Sequence, residues 1–165
     1  MHSKQTSLLL ALAILPLPAV AGEPDPIAVS EGTLVATVQA VGAQVYECVP
    51  ETTGERNWQF REPIATLFVD GKTVGRHYGG PAWEMNDSSA VTGKVAARAA
   101  AATPQDVPLL KLDVSSSRGT GLLSGVTAIQ RINTRGGVAV GACDRVGAYL
   151  SVPYTADYAF YGKRG

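Results

Sequence analysis

Ile64-Ala65-Thr66-Leu67-Phe68-Val69-Asp70-Gly71-Lys72-Thr73-Val74-Gly75-Arg76-His77-Tyr78 is the stretch that decides the fold. Two runs rich in β-branched and aromatic residues flank Asp-Gly, a dipeptide suited to the positive φ angles of a two-residue hairpin turn. Residues 64–69 and 72–78 are therefore expected to be adjacent antiparallel strands. The same grammar extends outward. Residues 82–85 and 90–95 make a second hairpin candidate across Asn86-Asp87-Ser88-Ser89.

Further strands are expected at 109–114, 122–133, 138–142, 148–152 and 158–161, with Asn133-Thr134-Arg135-Gly136-Gly137 as a turn. Upstream, residues 33–40 alternate, and 41–49 follow with Gly42 as a candidate bulge or bend. In that run Val41, Ala43 and Val45 take one side, and Tyr46 and Cys48 the other, so both faces read as partly buried. Short apolar runs cut by turn residues about every 8–12 residues are an all-β signal. The expected architecture is an antiparallel β-sandwich or flattened β-barrel of about nine or ten strands, with at most one short helix. That helix would fall in the alanine-rich segment 96–102. Alanine favours helix, but the segment is short and runs into Thr103-Pro104, so a strand end followed by a loop is the preferred reading.

The N-terminus carries a different signal. Lys4 precedes an apolar stretch over residues 8–20, and Ala19-Val20-Ala21 has the small-x-small pattern of a cleavage site. Residues 1–21 read as a signal peptide, which makes the protein periplasmic or secreted and leaves 22–165 as a single β domain. The apolar stretch holds Pro16 and Pro18 and falls short of the roughly 20 residues a spanning helix needs, so no membrane span is expected.

Lys plus Arg number 14 and Asp plus Glu 14 in the whole chain, so no basic excess invites nucleic acid. Cys48 and Cys143 are the only cysteines. In an oxidising compartment a Cys48–Cys143 bridge is the default, with two buried free thiols as the alternative. Two cysteines and one histidine beyond the leader cannot fill a four-ligand zinc site, so no metal is expected.

Chemistry-bearing motifs are sparse. Gly119-Thr120-Gly121-Leu122-Leu123-Ser124 approaches the dinucleotide fingerprint, but the third glycine is missing and a strand-like run follows where a helix is required. A turn is the better reading, and no cofactor is expected. His77 is the only histidine after residue 21, so any nucleophilic site would have it as its sole imidazole base. It begins His77-Tyr78-Gly79-Gly80-Pro81-Ala82-Trp83-Glu84, where two glycines allow close approach and Trp83 offers a stacking face. Glu84 and Asp87 could add acceptors.

Arg131 shares parity with Thr127 and Ile129 on a strand pattern. A buried arginine needs a partner: either a structural salt bridge with Glu84, Asp87 or Asp113, or an anionic ligand. The candidate ligand-binding set is His77, Tyr78, Trp83, Glu84, Arg131 and Asn133. A catalytic set, if there is one, is His77, Glu84, Asp87 and Arg131. The competing reading makes His77 a loop cap and Trp83 core.

Several stretches taken together resemble a family known as domain of unknown function 3455. They are residues 42–48 (Gly-Ala-Gln-Val-Tyr-Glu-Cys), Trp58-Gln59-Phe60, His77 to Trp83, Gly93-Lys94-Val95, residues 129–137, Cys143, and residues 154–161 (Tyr-Thr-Ala-Asp-Tyr-Ala-Phe-Tyr). The resemblance implies an exported bacterial or fungal protein with no established activity. Two departures stand out: Asp87-Ser88-Ser89 where the family favours Asp-Gly-Ser, and Pro108-Leu109-Leu110 where it favours Pro-Trp-Leu-Leu. Some fungal relatives carry the name malate dehydrogenase, but the missing nucleotide fingerprint argues against a nicotinamide-dependent dehydrogenase here.

Two functions follow as expectations. The first is a non-catalytic extracytoplasmic module that binds a small molecule or a cell-surface component, with oligomeric state open. The second is a cofactor-independent hydrolase or lyase using His77 with a nearby carboxylate, with Arg131 as an oxyanion or carboxylate partner.

Overall fold

The computed structural model describes residues 25–163; the expected signal peptide and its cleavage point lie outside them. Eight antiparallel strands form one sheet: β1 (Thr33–Pro50), β2 (Arg56–Val69), β3 (Lys72–Tyr78), β4 (Ala82–Met85), β5 (Ala90–Ala99), β6 (Leu109–Arg118), β7 (Val126–Gly136) and β8 (Tyr149–Gly162). Each pairs with the next in sequence, and β8 pairs back onto β1 to close a barrel. Closure removes the exposed edges of an open sheet, and it decides for the barrel over the sandwich.

The founding hairpin forms as expected. Val69 pairs with Lys72, and Asp70 and Gly71 carry φ of 48° and 73°. Both are positive, as the two-residue primed turn demands. The second hairpin, β4 to β5, also forms. The alanine-rich segment is the end of β5 followed by a loop.

The strand count is eight, below the expected nine or ten. Residues 33–49 make one continuous strand, and its irregularities fall at Val45/Tyr46 against β2 and Leu34/Ala36 against β8, not at Gly42. Residues 148–161 likewise fall almost wholly within the single strand β8. Residues 138–142 form no strand; they begin the connection that carries Cys143. Residues 122–125 are a turn. The first half of β2, Arg56 to Arg61, is exposed except for the half-buried Trp58, although Trp58 and Phe60 alternate with polar neighbours.

Up-and-down connectivity gives the barrel two ends. The base holds the β2–β3 and β4–β5 turns and the loop between β6 and β7. The mouth holds the β3–β4 turn and the long connections 100–108 and 137–148. Inward residues of neighbouring strands meet in register: His77 opposite Trp83, Arg131 opposite both Leu110 and Tyr158, and Ile129 opposite both Leu112 and Phe160. The lower bore is packed by fully buried Leu67, Leu112, Ile129, Phe160 and Leu123. Each such side chain contributes roughly 1.5–3 kcal/mol of burial.

At the base, Asp87 accepts hydrogen bonds from the Ser89 N–H (2.9 Å), the Ser89 hydroxyl (2.6 Å) and the Leu122 N–H (2.7 Å). The Leu123 N–H donates to Ser89 Oγ at 3.1 Å. This web pins the 119–125 loop across the base and seats Leu123 in the bore. A Cβ on Gly121 would fall 2.1 Å from the Asp87 carboxylate and push it off these bonds.

Cys48 and Cys143 are bonded, with Cα atoms 5.8 Å apart, tying the end of β1 to the 137–148 connection at the mouth. The bond fits an oxidising compartment. No helix among the described residues is long and apolar enough to cross a membrane.

Candidate functional site

Eight-stranded barrels enclose a bore just wide enough to be filled by side chains or to hold one small ligand. Here the base is filled and the mouth is not. A cavity of about 480 Å³ opens at the mouth. Strand alternation fixes its walls. Tyr46 and Gln44 come from β1, His77 from β3, Trp83 from β4, Leu110 and Leu112 from β6, Arg131 from β7 and Tyr158 from β8. Arg61 and Arg98 stand at its exposed rim.

An aromatic stack forms the floor. The His77 and Trp83 rings lie nearly parallel (11°) with centroids 4.4 Å apart. Tyr158 tilts against both, at 4.9 and 5.1 Å. His77 is 2% exposed, and its Nδ1–H donates to the Ala82 carbonyl at 2.8 Å. The carbonyl can only accept, so the neutral ring keeps Nε2 as an acceptor. Burial pushes the His77 pKa down to about 3; the Ala82 carbonyl opposes this and the Arg131 charge adds to it. The ring is uncharged at neutral pH and a weak base, so it is suited to accepting a hydrogen bond rather than carrying a proton.

Arg131 is 9% exposed. Its Nε and Nη2 both donate to the Pro108 carbonyl, at 3.0 and 2.8 Å. The structural salt bridge that parity suggested does not form: no carboxylate among the described residues lies within ion-pair distance of Arg131. Two other buried donors of residues that line the cavity, Gln44 Nε2 and Trp83 Nε1, have no partner within hydrogen-bond distance among the described residues; the Gln44 amide lies beside the Tyr154 hydroxyl, whose ionisation it favours.

Of the residues singled out by sequence, His77, Trp83 and Arg131 meet in this cavity. The others do not. Glu84 follows Trp83 on the same strand and therefore points outward, where Arg76 (3.0 Å), Arg118 (2.7 Å) and the Tyr78 hydroxyl (2.9 Å) converge on its Oε2. The Tyr78 hydroxyl and these arginines hold the Glu84 carboxyl below its ordinary pKa. Tyr78 belongs to this outer cluster. Asp87 sits at the base, its pKa lowered by the bonds from Ser89 and Leu122. Asn133 is exposed at an irregularity of β7, where its Nδ2 donates to Asp157 at 2.8 Å.

The carboxylate proposed to work with His77 is thus absent from the cavity, which no Asp or Glu lines. Among the described residues no group of three or more His, Cys, Asp or Glu could hold a metal ion.

Gln44, Tyr46 and Tyr158 are polar wall residues that no sequence motif singles out. Gln44 had a legible signal: it shares parity with buried Val38 and Ala40, so an amide occupies a core position. The Tyr46 hydroxyl donates to the Gly137 carbonyl at 2.7 Å, joining the wall to the disulfide-bearing connection.

A family model described as a protein of unknown function (DUF3455) matches residues 29–162, which takes in all eight strands. Neither the curated proteins nor the solved structures yield a match.

Proposed function

This chain belongs to the DUF3455 family of proteins of unknown function, and from that premise we propose that it is a non-catalytic extracytoplasmic protein that binds one small molecule in the mouth of its barrel. The observation that carries this reading is the pair of buried, unpartnered donors, Gln44 Nε2 and Trp83 Nε1, on the wall of a cavity of about 480 Å³. A buried donor left unsatisfied costs about 1–3 kcal/mol. Both belong to residues that line one cavity, so a small shift of either side chain would present a donor to an acceptor brought in from outside. The size suits a small organic molecule, and the mostly apolar wall with a few placed polar groups is the usual composition of such sites. The Cys48–Cys143 bond and the leader-like residues 1–21 support an oxidising, extracytoplasmic address.

The test is to fill the cavity. Val95 lines it from β5 and is half-buried. Val95→Trp should leave thermal stability within about 1–3 kcal/mol of wild type. It should weaken binding of 1-anilinonaphthalene-8-sulfonate, a fluorescent apolar anion, by tenfold or more. Saturable one-to-one binding that persists unchanged in the filled variant would place the site elsewhere and sink the proposal.

A further inference from the structure

Resting on the ligand-binding reading above, we infer that the ligand of the mouth is an organic carboxylate, its head on Arg131 and its apolar body along the Trp83–Tyr158 wall. Three observations converge. The first is charge. Arg131 is a nearly buried cation with no described carboxylate in ion-pair range; its guanidinium spends two nitrogens on one neutral carbonyl and otherwise faces the neutral Tyr158 hydroxyl. A guanidinium has five N–H groups in a planar fork that matches a carboxylate. Burying such a charge without a counter-ion is costly, so its natural complement is an anion that arrives with the ligand.

The second observation is the sign of the lining. No Asp or Glu lines the cavity, whereas Arg98 and Arg61 stand at the rim. Arg61 is neutralised by Glu47 and Glu62. Arg98 has no ion-pair partner among the described residues, which leaves a positive approach to the mouth.

The third is hydrogen-bond type. Among the residues that line the cavity, the unpartnered buried groups are donors, Gln44 Nε2 and Trp83 Nε1; the third such atom, Thr134 Oγ1, lies outside the lining. A carboxylate is acceptor-only, with about four lone-pair sites on two oxygens. It can therefore take Arg131 and a neutral donor together. A phosphate dianion would bring more charge than one buried arginine balances, into a wall that is mainly aromatic and aliphatic. A neutral ligand would leave the Arg131 charge uncompensated.

Calorimetric titration with carboxylates, each paired with its own primary amide, tests this directly. Suitable pairs are 4-phenylbutyrate with 4-phenylbutyramide, indole-3-acetate with indole-3-acetamide, and octanoate with octanamide. In wild type the best-binding acid should exceed its amide by at least tenfold. Arg131→Gln should collapse that ratio to near one while amide affinity changes little, and Arg131→Lys should restore part of it. The wild-type ratio decides the matter even if Arg131→Gln fails to fold. Acid and amide binding equally well would overturn the carboxylate inference and leave the ligand-binding reading standing. A preference that survives in Arg131→Gln would overturn the role of Arg131. Binding by neither member of any pair would count against both.

Discussion

The two ends of the barrel treat buried polar groups in opposite ways. At the base, the Ser89 hydroxyl is fully buried, yet it both donates to Asp87 and accepts from the Leu123 N–H. Every bond there serves to close the bore. At the mouth, Gln44, Trp83 and Arg131 are almost as deeply buried, but among the described residues their donors lack a close partner or meet only neutral oxygens. Both ends come from the same eight strands. The difference shows where the chain spends its sequence on stability and where it holds hydrogen-bonding capacity in reserve, the usual trade at a functional site.

The largest effect should come from cutting the covalent tie at the mouth. The bond spans a sequence separation of 95 residues, for which the chain-entropy relation gives about 4–5 kcal/mol. Replacing Cys48 and Cys143 together by serine should lower the urea midpoint by the corresponding amount. Hydrogen exchange should rise first in residues 137–148 and the end of β1, with the Asp87–Ser89 web protected longer. Uniform loosening of both ends would erase the contrast.

Acid should also act through the mouth. The folded-state pKa of His77 is depressed to about 3 by burial, against 6.5 when unfolded. Between these values the unfolded chain binds more protons. Stability is therefore fully present above pH 6.5 and falls as the pH drops toward 3, by up to about 1.4 kcal/mol per pH unit. Denaturation curves across pH 4–7 should show this slope in wild type, reduced by about one proton in His77→Phe. An unchanged slope would show that His77 titrates normally.

The smallest effects are the sharpest for the comparison, because their signs differ. Ser89→Ala removes a satisfied hydroxyl at the base and should cost about 1–2 kcal/mol. Gln44→Leu removes an unpartnered amide at the mouth and should stabilise the ligand-free protein by about 1 kcal/mol. Two losses of equal size would mean that Gln44 is as structural as Ser89.

Much of this architecture was legible, and the remainder has physical reasons. Alternation and the Asp70-Gly71 corner located the central hairpin because both are local signals. Closure was not local: the residues that pair between β1 and β8 lie more than 100 positions apart in sequence, and the strands' in-out periodicity is the same in a sandwich as in a barrel. Parity placed Arg131 inside with Ile129, while its supposed companion Thr127 is exposed at an irregularity of β7.

For the site, adjacency misled. Tyr78 and Glu84 neighbour His77 and Trp83 in sequence, and a strand turns such neighbours to opposite faces. The Gln44 amide was visible at an inward position, but its lack of a partner depends on what three other strands bring alongside it.

Trp83 and Trp58 are the two tryptophans, and only Trp83 lines the mouth cavity. A nitrogen–proton correlation spectrum should thus give two indole signals, assignable with a Trp58→Phe variant. On titration with a bound carboxylate, the Trp83 indole N–H should move downfield as it gains an acceptor, while the Trp58 signal stays in place. A ligand that saturates the protein and leaves the Trp83 signal unmoved would contradict the barrel mouth as the binding site.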